Sequence, residues 1–146
     1  MTKAEVLRIL EQPVRTLRAI REIEARERGL VAGMLHGGVA YDRDRVQQGS
    51  QSDRLAKFAE KAEKLWREED RLRAQYFADV EAVERLVLLV RRDTERLILV
   101  KLYLECMSAK DVASAEHYAV SSVYGLRDRG IKKIIAAAKL NKKNKE

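Results

Sequence analysis

The 146-residue chain has one cysteine, one proline and few aromatic residues, 5% in all. Cys106 alone cannot close a disulfide within the chain, which fits a reducing cytoplasm. One proline and seven glycines leave little to interrupt regular helix, and 36% charged residues point to long, solvent-washed helices and away from a sheet. No apolar run approaches the ~18 residues of a membrane span. Met1-Thr2-Lys3-Ala4-Glu5 lacks the apolar core of a signal peptide, so we expect a cytoplasmic protein with no membrane partner. The two histidines, His36 and His117, lie far apart, and with a single cysteine they give no zinc-ligand spacing. No phosphate-binding glycine loop or nucleophile elbow occurs. These absences argue against an enzyme and imply no cofactor.

What the chain does have is positive charge, unevenly placed. Of its net +7, residues 119–146 hold +6, with eight Lys or Arg against Asp128 and Glu146. Basicity concentrated in this way attracts polyanions, of which nucleic acid is the usual one.

The order of elements follows from caps and periodicity. Thr2-Lys3-Ala4-Glu5 has the spacing of a capping box. Leu7, Leu10, Val14, Leu17, Ile20 and Ile23 then recur at steps of three and four, as in an amphipathic helix ending near Leu35. Pro13 is expected to kink this helix or divide it. Residues 36–52 read as a loop, with Ser50 and Asp53 spaced as a second, weaker capping box and a helix beginning close to Gln51. In that helix positions 55, 58, 62, 65, 69, 72, 76, 79, 83, 86 and 90 form a heptad seam, broken only by Glu69 and Asp79. A buried carboxylate is costly unless paired, so each break should meet an Arg or Lys or lie at a wet spot. The seam can pack on the first helix as an antiparallel hairpin. Two helices alone make a thin core, which favours a homodimer through the same arm. A third helix starts at Asp93 or Thr94, carries Leu97, Ile98, Val100, Leu102 and Leu104 as buried candidates, and closes at Cys106-Met107. Ser108-Ala109-Lys110-Asp111 caps a short helix over 109–116, His117-Tyr118-Ala119 turns, and a last helix runs from about Val120 to Leu140.

The expected fold is therefore all-α. A long helical hairpin, or coiled-coil-like arm, covers residues 1–92; a tri-helical helix-turn-helix covers 93–140; a frayed basic tail covers 141–146. Ala113 must be small where the last helix crosses it, and Val112 and Val123 fill the wedge. The N-terminal end of the last helix is then free to enter a major groove of double-stranded DNA, which admits one helix. The groove-facing candidates are Val120, Ser121, Tyr124 and Gly125, with Ser122 and Asp128 at the margins. Arg127, Arg129, Lys132 and Lys133, with Lys110 on the supporting helix, suit phosphate contacts, which position without specifying. No Arg, Asn or Gln occupies the first turn and a half, so sequence specificity should be modest.

Residues 94–134, from Thr94-Glu95-Arg96-Leu97 through Tyr103-Leu104-Glu105-Cys106-Met107-Ser108-Ala109-Lys110-Asp111-Val112-Ala113 to Ser122-Val123-Tyr124 and Ile131-Lys132-Lys133-Ile134, resemble sigma-factor region 4 helix-turn-helix domains. The whole chain resembles the small phage proteins that join such a domain to a helical hairpin, the ArpU-like and RinA-like regulators of late genes. Asp44-Arg45-Val46-Gln47 and Gly49-Ser50-Gln51-Ser52-Asp53-Arg54-Leu55-Ala56 are similar to the loop before their second helix. The resemblance implies a phage transcription regulator of late-gene or packaging-operon control, working in the host bacterial cytoplasm. It also implies two alternatives: a small-terminase-like packaging protein, or an adaptor that touches RNA polymerase. The chain departs from the family at the turn glycine (His117 here), at the Ser or Thr cap (Ala119) and at an Arg after the aromatic (Gly125).

Overall fold

The computed structural model describes residues 1–37 and 51–146, with the backbone alone at 36 and 37. Its elements are α1 (Lys3–Gly37), α2 (Gln51–Val87), α3 (Asp93–Leu99), α4 (Ala109–Glu116) and α5 (Val120–Lys143). No strand occurs among the described residues. The fold is the all-α arrangement expected, with a long N-terminal helix pair ahead of three shorter elements. The expected 36–52 loop and the Ser50 cap fall largely outside the described residues, but α2 begins at Gln51 as its spacing predicts.

The chain divides into two compact units, and the division falls within both long helices. One unit is residues 1–15 with 76–146; the other is residues 16–75. The first gathers Val6 and Leu10 of α1 with Val83, Leu86, Val87 and Val90, and adds Leu99, Tyr103, Ile131 and Ile134 from the C-terminal elements. The ends of the hairpin thus share a core with the C-terminal helices, where the sequence places a boundary at residue 92. The Thr2 capping box forms in full: Glu5 N–H donates to Thr2 Oγ1 (3.2 Å) and Thr2 N–H to Glu5 Oε2 (2.7 Å). Pro13 neither ends nor divides α1, which runs through it unbroken with Pro13 itself buried. The missing amide is offset there by apolar burial.

The heptad seam of α2 faces inward along nearly its whole length; Ala62, Val83, Leu86 and Val90 are buried, and only Leu55 is well exposed. Its two carboxylates are accommodated differently. Asp79 is buried. In unit 16–75, Glu69 accepts from Arg73 (2.6 Å), whose guanidinium also reaches Glu24 on α1 (3.0 Å).

Glu69 further shares a proton with Glu27 of α1. The Glu69 hydrogen bond, then burial, pushes the Glu27 carboxyl above its ordinary range, while the same bond and Arg73 hold Glu69 below its own. Folding therefore favours protonated Glu27. That contribution is present at acid pH and is lost as pH rises through the raised value; the contribution of Glu69 has the opposite sign and is lost on acidification. Glu27→Gln keeps a donor towards Glu69 and removes the charge. At pH 8 it is expected to raise the thermal midpoint by roughly 3 °C, a hydrogen-bond-sized gain. Melts at pH 4 should show the gain gone, and a gain that is equal at both pH values would refute the shared proton.

Candidate nucleic-acid interface

α3 does not continue as a regular helix. At Val100 it widens into a π-helical turn through Leu104, closed by Glu105 N–H on Val100 O (2.9 Å). The extra residue changes the phase of the helix. Leu99 and Tyr103 turn into the main core and Ile98 towards α4, while Leu97, expected inside, is exposed. The chain then reverses at Cys106, whose φ of 56° is left-handed.

Ser108 Oγ accepts from Asp111 N–H (3.1 Å) and caps α4, as its spacing predicts. Lys101, half-buried on the π turn, reaches Glu116 at the other end of α4 (3.4 Å). His117 ends α4 in the left-handed region (φ 58°, ψ 40°), and Tyr118 N–H reaches back to Ala113 O (3.0 Å). A side chain in that conformation costs about 1 kcal/mol relative to glycine, and histidine bears it better than most. α5 starts at Val120 with no side-chain cap from Ala119. Ile98, Val112, Ala113 and Val123 form a small separate core that fixes α4 against α5. The helix-turn-helix geometry is set by that core, by one cap and by one left-handed residue.

α5 buries Val123, Gly130, Ile131 and Ile134. Its opposite face follows from a rotation of 100° per residue. Ser121, Gly125, Lys132, Ala136, Lys139 and Lys143 share that face, with Arg129 beside Lys132, and all but the half-buried Gly125 and Ala136 are exposed or at the surface edge. A Cβ at Gly125 would meet nothing within 4 Å, so this part of the face is open. α5 extends to Lys143, three residues beyond the expected end at Leu140. Lys142 and Lys143 in its last turn complement the helix dipole.

The candidate residues separate into two groups. Val120, Ser121, Ser122 and Tyr124 lie exposed at the start of α5, and Lys110 is exposed on the first turn of α4. Arg129 and Lys132 are exposed and in no ion pair among the described residues. Arg127 and Lys133, by contrast, are tied into the fold. Arg127 donates twice to Asp128 Oδ1 (3.1 and 2.9 Å), and its guanidinium sits 4.9 Å from the centre of the Tyr124 ring. Burial works against its charge, but bonds to Asp128 and Tyr103 outweigh burial and hold it firmly protonated. Burial likewise pushes the Tyr103 phenol up, opposed by Arg127. Lys133 turns to the buried carboxylate of Glu95, with Nζ 2.5 Å from Oε2, close enough for an ion pair but without hydrogen-bond angles. Both were expected to contact phosphates; the attraction of an internal acid places them elsewhere.

Sequence reasoning missed Tyr118, exposed in the turn, and the pair Lys139 and Lys143, which extend the Lys132 face. The seven-residue step from Lys132 to Lys139 was the available signal. Among the described residues no three of His, Cys, Asp and Glu are grouped to hold a metal ion, and no helix is long and apolar enough to cross a membrane. Compared with known proteins, the chain matches no family model, no curated protein and no solved structure.

Proposed function

We propose that the chain is a transcription regulator that binds double-stranded DNA by laying the first turns of α5 in the major groove. The observation that carries this is the outer face of α5: small uncharged residues at its start, then Arg129, Lys132, Lys139 and Lys143 along one side. Ser121, Ser122 and Gly125 let the helix approach base edges closely, and the cations beyond them are spaced for a phosphate backbone. The resemblance to sigma-factor region 4 domains and to phage late-gene regulators supports the same class and a host-cytoplasm setting. Weak base readout follows from the absence of Arg, Asn and Gln at the tip.

The triple variant Arg129→Ala, Lys132→Ala, Lys139→Ala tests the interface. All three side chains are exposed, so folding should be unchanged. Affinity for duplex DNA should fall, and the dependence of log K on log salt should lose roughly 2 to 3 of its slope, one phosphate contact for each cation. A slope that does not change removes α5 as the DNA-binding element. Selection from random duplexes at fixed salt then separates regulation from non-specific binding.

A second use of the same tip is favoured by Tyr118, Val120 and Tyr124, which are exposed and uncharged. They suit a protein surface such as RNA polymerase. If Tyr118→Ala and Tyr124→Ala abolish polymerase binding and leave DNA affinity intact, the adaptor reading replaces direct DNA recognition.

A further inference from the structure

The heptad seam is occupied within the chain, so it does not supply a dimer contact. Unit 16–75 nevertheless leaves large apolar side chains in solvent. Val31 and Leu35 stand one turn apart on α1, and Trp66 faces them from α2 with 57% of its surface exposed. With Ala32 these residues line a groove on one side of the helix pair. Exposed apolar surface on this scale, gathered on one face, marks an interaction site.

Charge distinguishes the two sides. The opposite groove is lined by Arg54, Lys57 and Lys61 and so repels a copy of itself. The Trp66 side is mixed. Arg28 lies along its α1 edge, one turn before Ala32; Glu63 and Asp70 lie along its α2 edge, three residues before and four after Trp66. Neither Arg28 nor Asp70 is in an ion pair among the described residues, and Glu63 holds only the exposed Arg67 of its own helix.

We propose that this face binds a second copy of the chain about a two-fold axis running along the hairpin. α1 of one copy then lies over α2 of the other. Trp66 enters the hollow that small Ala32 leaves between Val31 and Leu35, and Arg28 meets the acidic edge of Glu63 and Asp70. The axis repeats both contacts, as a self-complementary patch requires. The result is a four-helix layer pair that gives the thin hairpin a second core. This inference is independent of DNA binding.

Trp66 is the only tryptophan of the chain, so its fluorescence reads the contact directly. On titrating the full-length protein from nanomolar to high micromolar concentration, emission should move to the blue in step with a doubling of mass by light scattering. Trp66→Glu should be monomeric with an unchanged helical circular dichroism signal. Arg28→Glu should weaken association about tenfold, and adding Asp70→Arg should restore it, as a desolvated charge pair at an interface edge does. A wild-type monomer at every concentration, a folded Trp66→Glu dimer, or failure of the charge swap to rescue overturns the face. A ring of about eight or more subunits overturns it too, because a ring needs unlike faces, and would point to a packaging assembly.

Discussion

Lys133→Ala is expected to destabilise the protein by about 3–5 kcal/mol, whereas Lys132→Ala, one residue away, should change stability by less than about 0.5 kcal/mol. The difference lies in Glu95. Its side chain is 1% exposed, and neither carboxylate oxygen has a hydrogen-bond partner among the described residues. The ammonium of Lys133 is the one charge held against it, reaching in from a site where the lysine side chain is 43% exposed. Deleting the lysine leaves a buried anion uncompensated, a far larger penalty than the net worth of the pair. The converse deletion is mild. With Glu95→Met, Lys133 can swing into water and the pocket gains an apolar filler, so stability should be unchanged or higher. Urea unfolding of the two single variants and of the double variant closes a cycle. Lys133→Ala should cost little once Glu95 is Met. If Lys133→Ala unfolds at the same urea concentration as Lys132→Ala, the buried pair has no structural role. Lys133 then returns to the DNA-facing group.

These adjacent lysines also mark how far the sequence can be read. Where a residue's role is local, it is legible. The Thr2 and Ser108 caps, the start of α2, the left-handed turn at His117 and the start of α5 at Val120 all follow from a few neighbouring residues, and the structure places each where its spacing predicts. The inward seam of α2 is legible because periodicity is a property of one helix. What fills the seam is not, since a heptad pattern is indifferent to whether its partner belongs to the same chain. The π turn at Val100–Leu104 is equally hidden; it shifts phase by one residue and exchanges Leu97 for Leu99 at the core. In the candidate interface the total charge of residues 119–146 was legible, but its division was not. Lys132 and Lys133 differ by 100° of helix rotation, and only tertiary contact tells which of them meets an acid. Glu95 reads in sequence as one more surface carboxylate and gives no sign that it claims a lysine.

Gly130→Val is expected to cost about 3 kcal/mol or more, by overpacking the place where α5 approaches α3 most closely. A Cβ at Gly130 would stand 2.9 Å from Leu99 Cδ1, 3.4 Å from Leu99 Cγ and 3.8 Å from Glu95 Cβ. Leu99 has no room to retreat, being fully buried in the core that also holds Leu10, Val83, Ile131 and Ile134. Gly130→Ala sets two effects against each other. Alanine gains roughly 1 kcal/mol as a helix former, and displacing Leu99 costs about 1–3 kcal/mol, so the net is a loss smaller than that of valine. Gly125, on the outer face of the same helix, supplies the control. Its Cβ would meet nothing within 4 Å, so Gly125→Ala should stabilise by up to about 1 kcal/mol. The order Gly125→Ala, wild type, Gly130→Ala, Gly130→Val in chemical denaturation is the prediction. Leu99→Ala in the Gly130→Val background supplies the mechanism: by vacating the contested space it should recover part of the loss, although Leu99→Ala alone is destabilising. Gly130 lies within one turn of Lys133, so a displaced α5 also moves the lysine relative to Glu95. If Gly130→Val matches wild type, α3 and α5 do not meet closely at Leu99, and the outward phase assigned to Lys132 and Lys139 fails with that contact.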